Sequence, residues 1–214
     1  MKLILHSFFQ TCIRKFEIMG QAPHPSFSRI PLKKGYHMLP QKDKIVITLT
    51  GHRPPKLAGY NLSNPYYDRL QIRLENIIET LLKRYHHIEC HSGMALGADT
   101  IWAQAIIKMK KKYPNNIVFI ADIPDTNQPS RWPQTSQEQW HKLLADADVI
   151  CQYAQKHLGK SYAYILNQRN IGMIAACDIL LAVYNGDSTG GTANGVRDGM
   201  RMGKTIITID PDTI

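Results

Sequence analysis

The residues able to do chemistry fall in four short stretches: Gly51-His52-Arg53, Ser92 to Asp99, Gln168-Arg169-Asn170, and Ser188 to Thr192. In Ser92-Gly93-Met94-Ala95-Leu96-Gly97-Ala98-Asp99, two glycines stand four residues apart, between an apolar segment (Ile88 to His91) and an amphipathic one (Ile101 to Lys112). The order is strand, small-residue turn, helix. Glycines let the backbone turn sharply and approach a ligand closely, and the free N–H groups at a helix start favour an anion. Asp99, near that start, can cap the helix or hold a sugar hydroxyl. Ser188-Thr189-Gly190-Gly191-Thr192 repeats the order, and its N–H groups, the Thr192 hydroxyl and the helix dipole would together cradle a phosphate.

Arg53 can fork onto a phosphate, and His52 can stack on or hydrogen-bond a base or ribose. Arg169 sits inside a helical stretch between Gln168 and Asn170, which gathers many donors in a small volume. Each stretch also has a plainer reading: an ordinary βα turn, a surface loop with two glycines, a capping arginine in an ion pair, a solvated helix face. Neither glycine-rich loop is a Walker A, because no Lys follows at the required spacing, and neither is a dinucleotide GxGxxG. The GxSxG elbow of a Ser-His-Asp hydrolase is absent. His52, His86, His87 and His91 show no i/i+4 pair and no carboxylate at ligand spacing, so no metal site is predicted, and no motif implies a cofactor. Lys108 and Lys110 to Lys112 read as a solvated helix end paired with the dipole.

The elements that must hold these stretches alternate. Lys44 to Thr50 is a near-continuous β-branched run, as expected of a buried parallel strand, and it ends in Gly51-His52-Arg53-Pro54-Pro55. A long helix follows, with Tyr67, Leu70, Leu74, Ile77, Ile78, Leu81 and Leu82 at helical spacing. Strand and turn at Ser92 come next, then a helix over 100–112 and a third strand over 117–121. Residues 122–135 read as a polar, Pro-rich loop. A helix over 136–145, a short strand near Val149-Ile150, a loop over 153–161 and a helix over 162–177 lead to the strand 179–184. A helix over 193–202 and a strand over 205–209 complete the pattern. This predicts an α/β fold: a doubly wound, mostly parallel Rossmann-like sheet flanked by helices, with an irregular N-terminal extension. In such sheets ligands bind beyond the carboxyl ends of the strands, where every distinctive polar turn of this chain falls.

The chain has 214 residues, enough for one well-packed domain with an appendage, and 43% hydrophobic with 20% charged residues is ordinary for a globular protein. Its net charge of +9 is unevenly distributed. Residues 1–44 hold eight Lys/Arg against Glu17 and Asp43, a balance of +6, whereas residues 45–214 hold eighteen against fifteen, only +3. The basicity belongs mainly to residues 1–43, a Pro-containing extension with a short helix expected over 3–18, and the domain is expected to span 44–214. Met38 is an alternative start. Cys12, Cys90, Cys151 and Cys177 include no CxxC pair and read as small buried hydrophobes of a reducing cytoplasm. No apolar run is long enough to cross a membrane, and His6, Gln10 and Arg14-Lys15 interrupt the N-terminal one, so neither a membrane partner nor a signal peptide is predicted.

With Gly51-His52-Arg53-Pro54, Lys56-Leu57, Gly59-Tyr60, Ser92 to Asp99, Gln168-Arg169-Asn170, Met173, Asp178, Leu180 to Tyr184, Gly190-Gly191-Thr192 and Asn194 in hand, the chain resembles the SLOG superfamily. These Rossmann-like proteins include the LOG enzymes and DprA, and the YpsA-type branch is the nearest look-alike. The resemblance spans residues 45–210. It implies a nucleotide or ADP-ribose-like ligand held by Gly51, His52, Arg53, Ser92, Gly93, Met94, Gly97, Asp99, Arg169, Asn170, Gly190, Gly191, Thr192 and Asn194. A sensor or sequestering role is the leading expectation. The alternative is an N-glycosidase of the LOG type, with Arg169 and Asp99 as candidate catalytic residues. LOG enzymes carry a Glu three residues beyond their Gly-Thr; here that position is Gly195, leaving Asp99, Asp187 or Asp198 as substitutes for the carboxylate an oxocarbenium-like transition state needs. DprA-like binding of single-stranded DNA is the third and least favoured reading, because the core is nearly neutral. A homo-oligomer accords with the look-alike families, although no stretch encodes one.

Overall fold

Ile45, Ile47 and Leu49 are at most 4% exposed, and Thr48, on the opposite face of the same strand, is also buried. A strand buried on both faces belongs at the centre of a parallel sheet. That is where β1 (Lys42–Gly51) lies in the computed structural model, which describes residues 42–214. The remaining strands are β2 (Tyr85–Ser92), β3 (Ile117–Ile123), β4 (Val149–Gln152), β5 (Ile179–Val183) and β6 (Thr205–Ile209). All pairings are parallel and the order is β4-β3-β2-β1-β5-β6. The expected helix over 3–18, the alternative start at Met38 and Cys12 lie outside the described residues, as does all of the extension up to residue 41.

The helices are α1 (Pro65–Leu82), α2 (Ala98–Lys112), α3 (Gln134–Ala145), α4 (Tyr162–Ala176) and α5 (Gly191–Arg201). Right-handed crossovers stepping from β1 towards β4 place α1, α2 and α3 on one face; stepping from β5 to β6 reverses direction and places α5, with α4, on the other. The packing follows this division. Leu70, Leu74 and Ile78 of α1 and Trp102 and Ile106 of α2 join Ile45, Ile47 and Leu49 in the larger core. Ile174 of α4, Cys177 and Leu180, with Val46 and Ile206 against them, form the smaller one. Register explains the split, since Ile47 pairs with Ile179 and Leu49 with Leu181, while Thr48 pairs with Leu180 on the opposite face. Each fully buried aliphatic side chain contributes roughly 1.5–3 kcal/mol.

Caps set the helix starts where the sequence supplies them. Asn64 accepts from Tyr66 N at 3.0 Å, ahead of Pro65 at the first helical position. Ser161 accepts from Tyr164 N at 3.3 Å to start α4. Two aspartates open strands in the same manner: Asp148 accepts from Phe119 N and Asp178 from Val46 N, each at 2.8 Å. The expected lysine run at the end of α2 is more structured than a bare solvated face. Lys108 pairs with Glu75, Lys110 with Asp148 and Lys112 with Glu79. Among the described residues no helix is long and apolar enough to cross a membrane.

One boundary differs in a way that matters for the site. β3 runs to Ile123, so Asp122, expected in a loop, is a strand residue only 2% exposed. The sheet accepts a carboxylate there because His91 Nδ1 (2.6 Å) and the Tyr153 hydroxyl (3.2 Å) both bond it.

Candidate functional site

The chain leaves β1 towards β2 and leaves β5 towards β6, so connections depart in opposite directions from two adjacent strands. A crevice must open between them at their carboxyl ends. A cavity of about 300 Å³ lies there, at the small end of ligand-site size. Its walls are Thr48 to Gly51 of β1 with Arg53, Ala95 and Asp99 after β2, Arg169, Asn170, Met173 and Ile174 of α4, and Gly191 and Thr192 at the start of α5.

Arg169 is the central cation. It is 4% exposed, and its Nη1 donates to the Gly93 carbonyl at 2.5 Å, an acceptor shared with Gln128 Nε2 at 3.0 Å. Its Nε, like Thr48 Oγ1, is buried with no hydrogen-bond partner among the described residues. Burial pulls the guanidinium below its ordinary value; Asp99 and Asp122 oppose this, and Arg53 adds to it. The group remains cationic, because arginine does not deprotonate in proteins. Asp99 is 8% exposed and shows the complementary behaviour. Burial raises its carboxyl above the usual range, although Arg169, Arg53 and the N–H groups of Asp99 and Gly93 pull the other way. The pair therefore does not cancel its own desolvation, and two arginines face one cavity carboxylate.

The turns are built by close packing. Gly93 has no room for a side chain: a Cβ there would lie 1.7 Å from Arg169 Nη1. Gly97 has φ of 98°, and a Cβ would lie 2.5 Å from the His52 carbonyl, to which Ala98 N donates at 3.1 Å. Both glycines of the Ser92 turn thus accommodate the protein's own groups, whereas the sequence reading expected them to admit a ligand. Ser92, fully buried, donates through Oγ to the Asp99 carbonyl (3.1 Å) and accepts from Met94 N (3.2 Å), holding the turn from beneath. Met94 takes a positive φ of 55° with its side chain in the core. At the second loop Gly190 (φ 98°) and Gly191 face open space, with nothing within 4 Å of a Cβ. Gly191 and Thr192, in the first turn of α5 where N–H groups lack intrahelical partners, line the same cavity.

Of the predicted site residues, Gly51, Arg53, Asp99, Arg169, Asn170, Gly191 and Thr192 line the cavity. Ser92, Gly93, Met94 and Gly97 support it, and Gly190 caps α5. His52 and Asn194 stand aside. His52, 4% exposed, has its Nε2 2.7 Å from Asn185 Oδ1, which ties the β1 and β5 loops together beside a Lys56–Asp187 ion pair. Asn194 is exposed and bonded by Arg197. Of the three substitute carboxylates, Asp99 alone lines the cavity; Asp187 engages Lys56 and Asp198 engages Arg201. A Cβ on Gly195 would lie 3.0 Å from Thr50 Oγ1.

Sequence reasoning missed Thr48, Thr50, Met173 and Ile174 as lining residues, and the buried Asp122-His91-Tyr153 cluster behind Arg169. Thr48 and Thr50 alternate with Ile47 and Leu49, and that period of two in an otherwise apolar strand was the available signal.

The sequence model of the YspA SLOG family matches residues 47–212. The chain belongs to that family. Family relatives include the UPF0398 protein of Lysinibacillus sphaericus (strain C3-41), 24% identical over 142 residues, which covers 66% of this chain and 77% of the relative. The UPF0398 protein of Bacillus pumilus (strain SAFR-032) is 23% identical over 145 residues, covering 68% and 76%. A solved structure of DNA processing protein A from Helicobacter pylori, described for its single-stranded DNA binding mode, aligns with TM-score 0.48 at 14% identity. That alignment covers 77% of this chain and 64%, less than two thirds, of the other. The SLOG superfamily resemblance read from the ordered motifs, and the Rossmann-like fold it implied, are thereby established.

Proposed function

We propose that this SLOG-family protein binds a nucleotide or an NAD/ADP-ribose-derived small molecule through its phosphate, acting in the cytoplasm as a sensor or sequestering protein. The observation that carries this reading is Arg169: a guanidinium 4% exposed at a cavity wall, its Nε without a partner. Asp99 and Asp122 offset only part of what burial costs this cation, and an anion in the cavity would offset more. Arg53, exposed on the same cavity, and the Thr192 hydroxyl at the start of α5 supply the remaining contacts. Asp99 would meet a ribose hydroxyl. Calorimetric titration with AMP, ADP-ribose and cyclic ADP-ribose tests the reading; silence towards all of them from folded protein refutes it.

One observation favours a second reading, cleavage of an N-glycosidic bond. Asp99 lines the cavity with its carboxyl raised by burial, the condition a general acid needs. Incubation with AMP and NAD would then release free base, and Asp99→Asn would abolish the release. Binding of single-stranded DNA gains no comparable support from the cavity.

A further inference from the structure

One face of α4 holds more than its arginine. Tyr162, Ile165, Arg169 and Met173 recur at spacings of three and four and make one stripe along the helix. Ile165, Arg169 and Met173 are each at most 7% exposed, whereas Tyr162, the first residue of the helix, is 46% exposed. Helix α4 thus carries an aromatic ring at its N-terminal end, on the same stripe as the cavity-lining Arg169 and Met173. Seven residues of helical rise place it roughly 10 Å from Arg169 along the axis. Arg53, which lines the cavity, and Arg131 and Asp125, on the loop after β3, are close enough for their charges to act on the Tyr162 hydroxyl.

The neighbouring rings differ from it. Tyr164 points to another side, where His157 meets it edge-on at 5.5 Å and Lys160 lies over its face at 5.8 Å. Tyr153 is buried beneath, bonded to Asp122. Tyr162 has no ring or cation against its face among the described residues. An exposed ring fixed at its root on a helix, with no ring or cation against its face among the described residues, on the same stripe as a cavity arginine whose Nε lacks a hydrogen-bond partner, is arranged to stack a flat group whose anionic end lies below.

We propose that Tyr162 is the platform for the base of the bound nucleotide, so that the site selects base-bearing phosphates over bare sugar phosphates. This rests on the phosphate reading above and adds its specificity. The phosphate would sit between Arg169, Arg53 and Thr192, the ribose would span the stripe past Ile165, and the base would lie on the Tyr162 ring. Stacking of this kind tolerates purines and pyrimidines alike, since every base has a π-face.

Calorimetry with AMP, UMP and ribose 5-phosphate, on wild type, Tyr162→Ala and Tyr162→Phe, tests it. Wild type is expected to bind AMP and UMP more tightly than ribose 5-phosphate. Tyr162→Ala should weaken both nucleotides by roughly tenfold and leave ribose 5-phosphate unchanged, while Tyr162→Phe keeps the wild-type preference. Because the residue is exposed, thermal unfolding of the variants should match wild type. Equal binding of nucleotides and ribose 5-phosphate, or a Tyr162→Ala variant that leaves their ratio unaltered, overturns the platform and leaves phosphate binding standing. Failure of all three compounds to bind wild type overturns the platform, and failure of ADP-ribose and cyclic ADP-ribose as well removes the phosphate reading with it.

Discussion

Gly93→Ala is the smallest change that reaches the centre of the site. The added methyl would stand 1.7 Å from Arg169 Nη1 and 2.9 Å from Asp99 Oδ1, and neither distance is tolerable. The backbone of Gly93 is fixed by the turn, so the guanidinium must leave the carbonyl it now bonds. Loss of a charged hydrogen bond (about 1.5–3 kcal/mol) and local overpacking (about 1–3 kcal/mol) give a destabilisation of roughly 3 kcal/mol. For a domain of this size that lowers the unfolding midpoint by about 6–12 °C. With Arg169 displaced, nucleotide affinity should fall by at least about tenfold.

The reasoning is tested by a double-mutant cycle read by thermal or urea unfolding. Arg169→Ala alone leaves Asp99 and Asp122 facing an empty space where a cation stood, a change on the order of 3 kcal/mol or more. In the double variant the clash with the guanidinium is gone and only the 2.9 Å contact with Asp99 Oδ1 remains. Its destabilisation should therefore be smaller than the sum of the singles by about 1–3 kcal/mol. Strict additivity, or a Gly93→Ala protein with wild-type stability and affinity, refutes the packing of Arg169 against Gly93.

Asp99→Asn should change how stability depends on pH. Folding raises this carboxyl, so its stabilising contribution is fully present below the unfolded value of about 4 and is lost as pH rises through the elevated folded value. Asparagine has no such loss, and the melting temperature of the variant relative to wild type should climb as pH rises above about 4, which differential scanning fluorimetry would read. Gly97→Ala must place a Cβ 2.5 Å from the His52 carbonyl at a φ of 98°, and a loss of about 1–3 kcal/mol in urea unfolding is expected. Tyr153→Phe removes the hydroxyl that donates to Asp122 and should destabilise by about 1.5–3 kcal/mol without altering the ligand preference.

The order of strands and helices was legible because each carries a strong local signal. Ile45 to Leu49 and Ile179 to Val183 are β-branched or aliphatic runs that can lie only inside a sheet, and Tyr67, Leu70, Leu74 and Ile78 repeat at helical spacing. The place of the cavity followed from topology, since the polar turns all fall at strand carboxyl ends. What could not be read was tertiary. Asp122 looks like a loop residue until His91 and Tyr153 are brought to it. Gly93 looks like a ligand contact until an arginine from a helix 76 residues later fills the space above it. Helix α5 begins at Gly191, before the expected 193, with Gly190 at its N-cap. Thr48 and Thr50 are hidden by the apolar residues between them.

The central claim is that a phosphate, bound by Arg53, Arg169 and the start of α5, anchors the ligand. Arg53 is exposed and outside the core, so Arg53→Ala should fold as wild type does. The most direct measurement is calorimetry of wild type and Arg53→Ala with AMP and with adenosine. The account predicts that wild type binds AMP, that adenosine binds at least about tenfold more weakly, and that Arg53→Ala loses most of that difference. Adenosine binding as tightly as AMP, or an Arg53→Ala protein with undiminished preference for the phosphate, would contradict it.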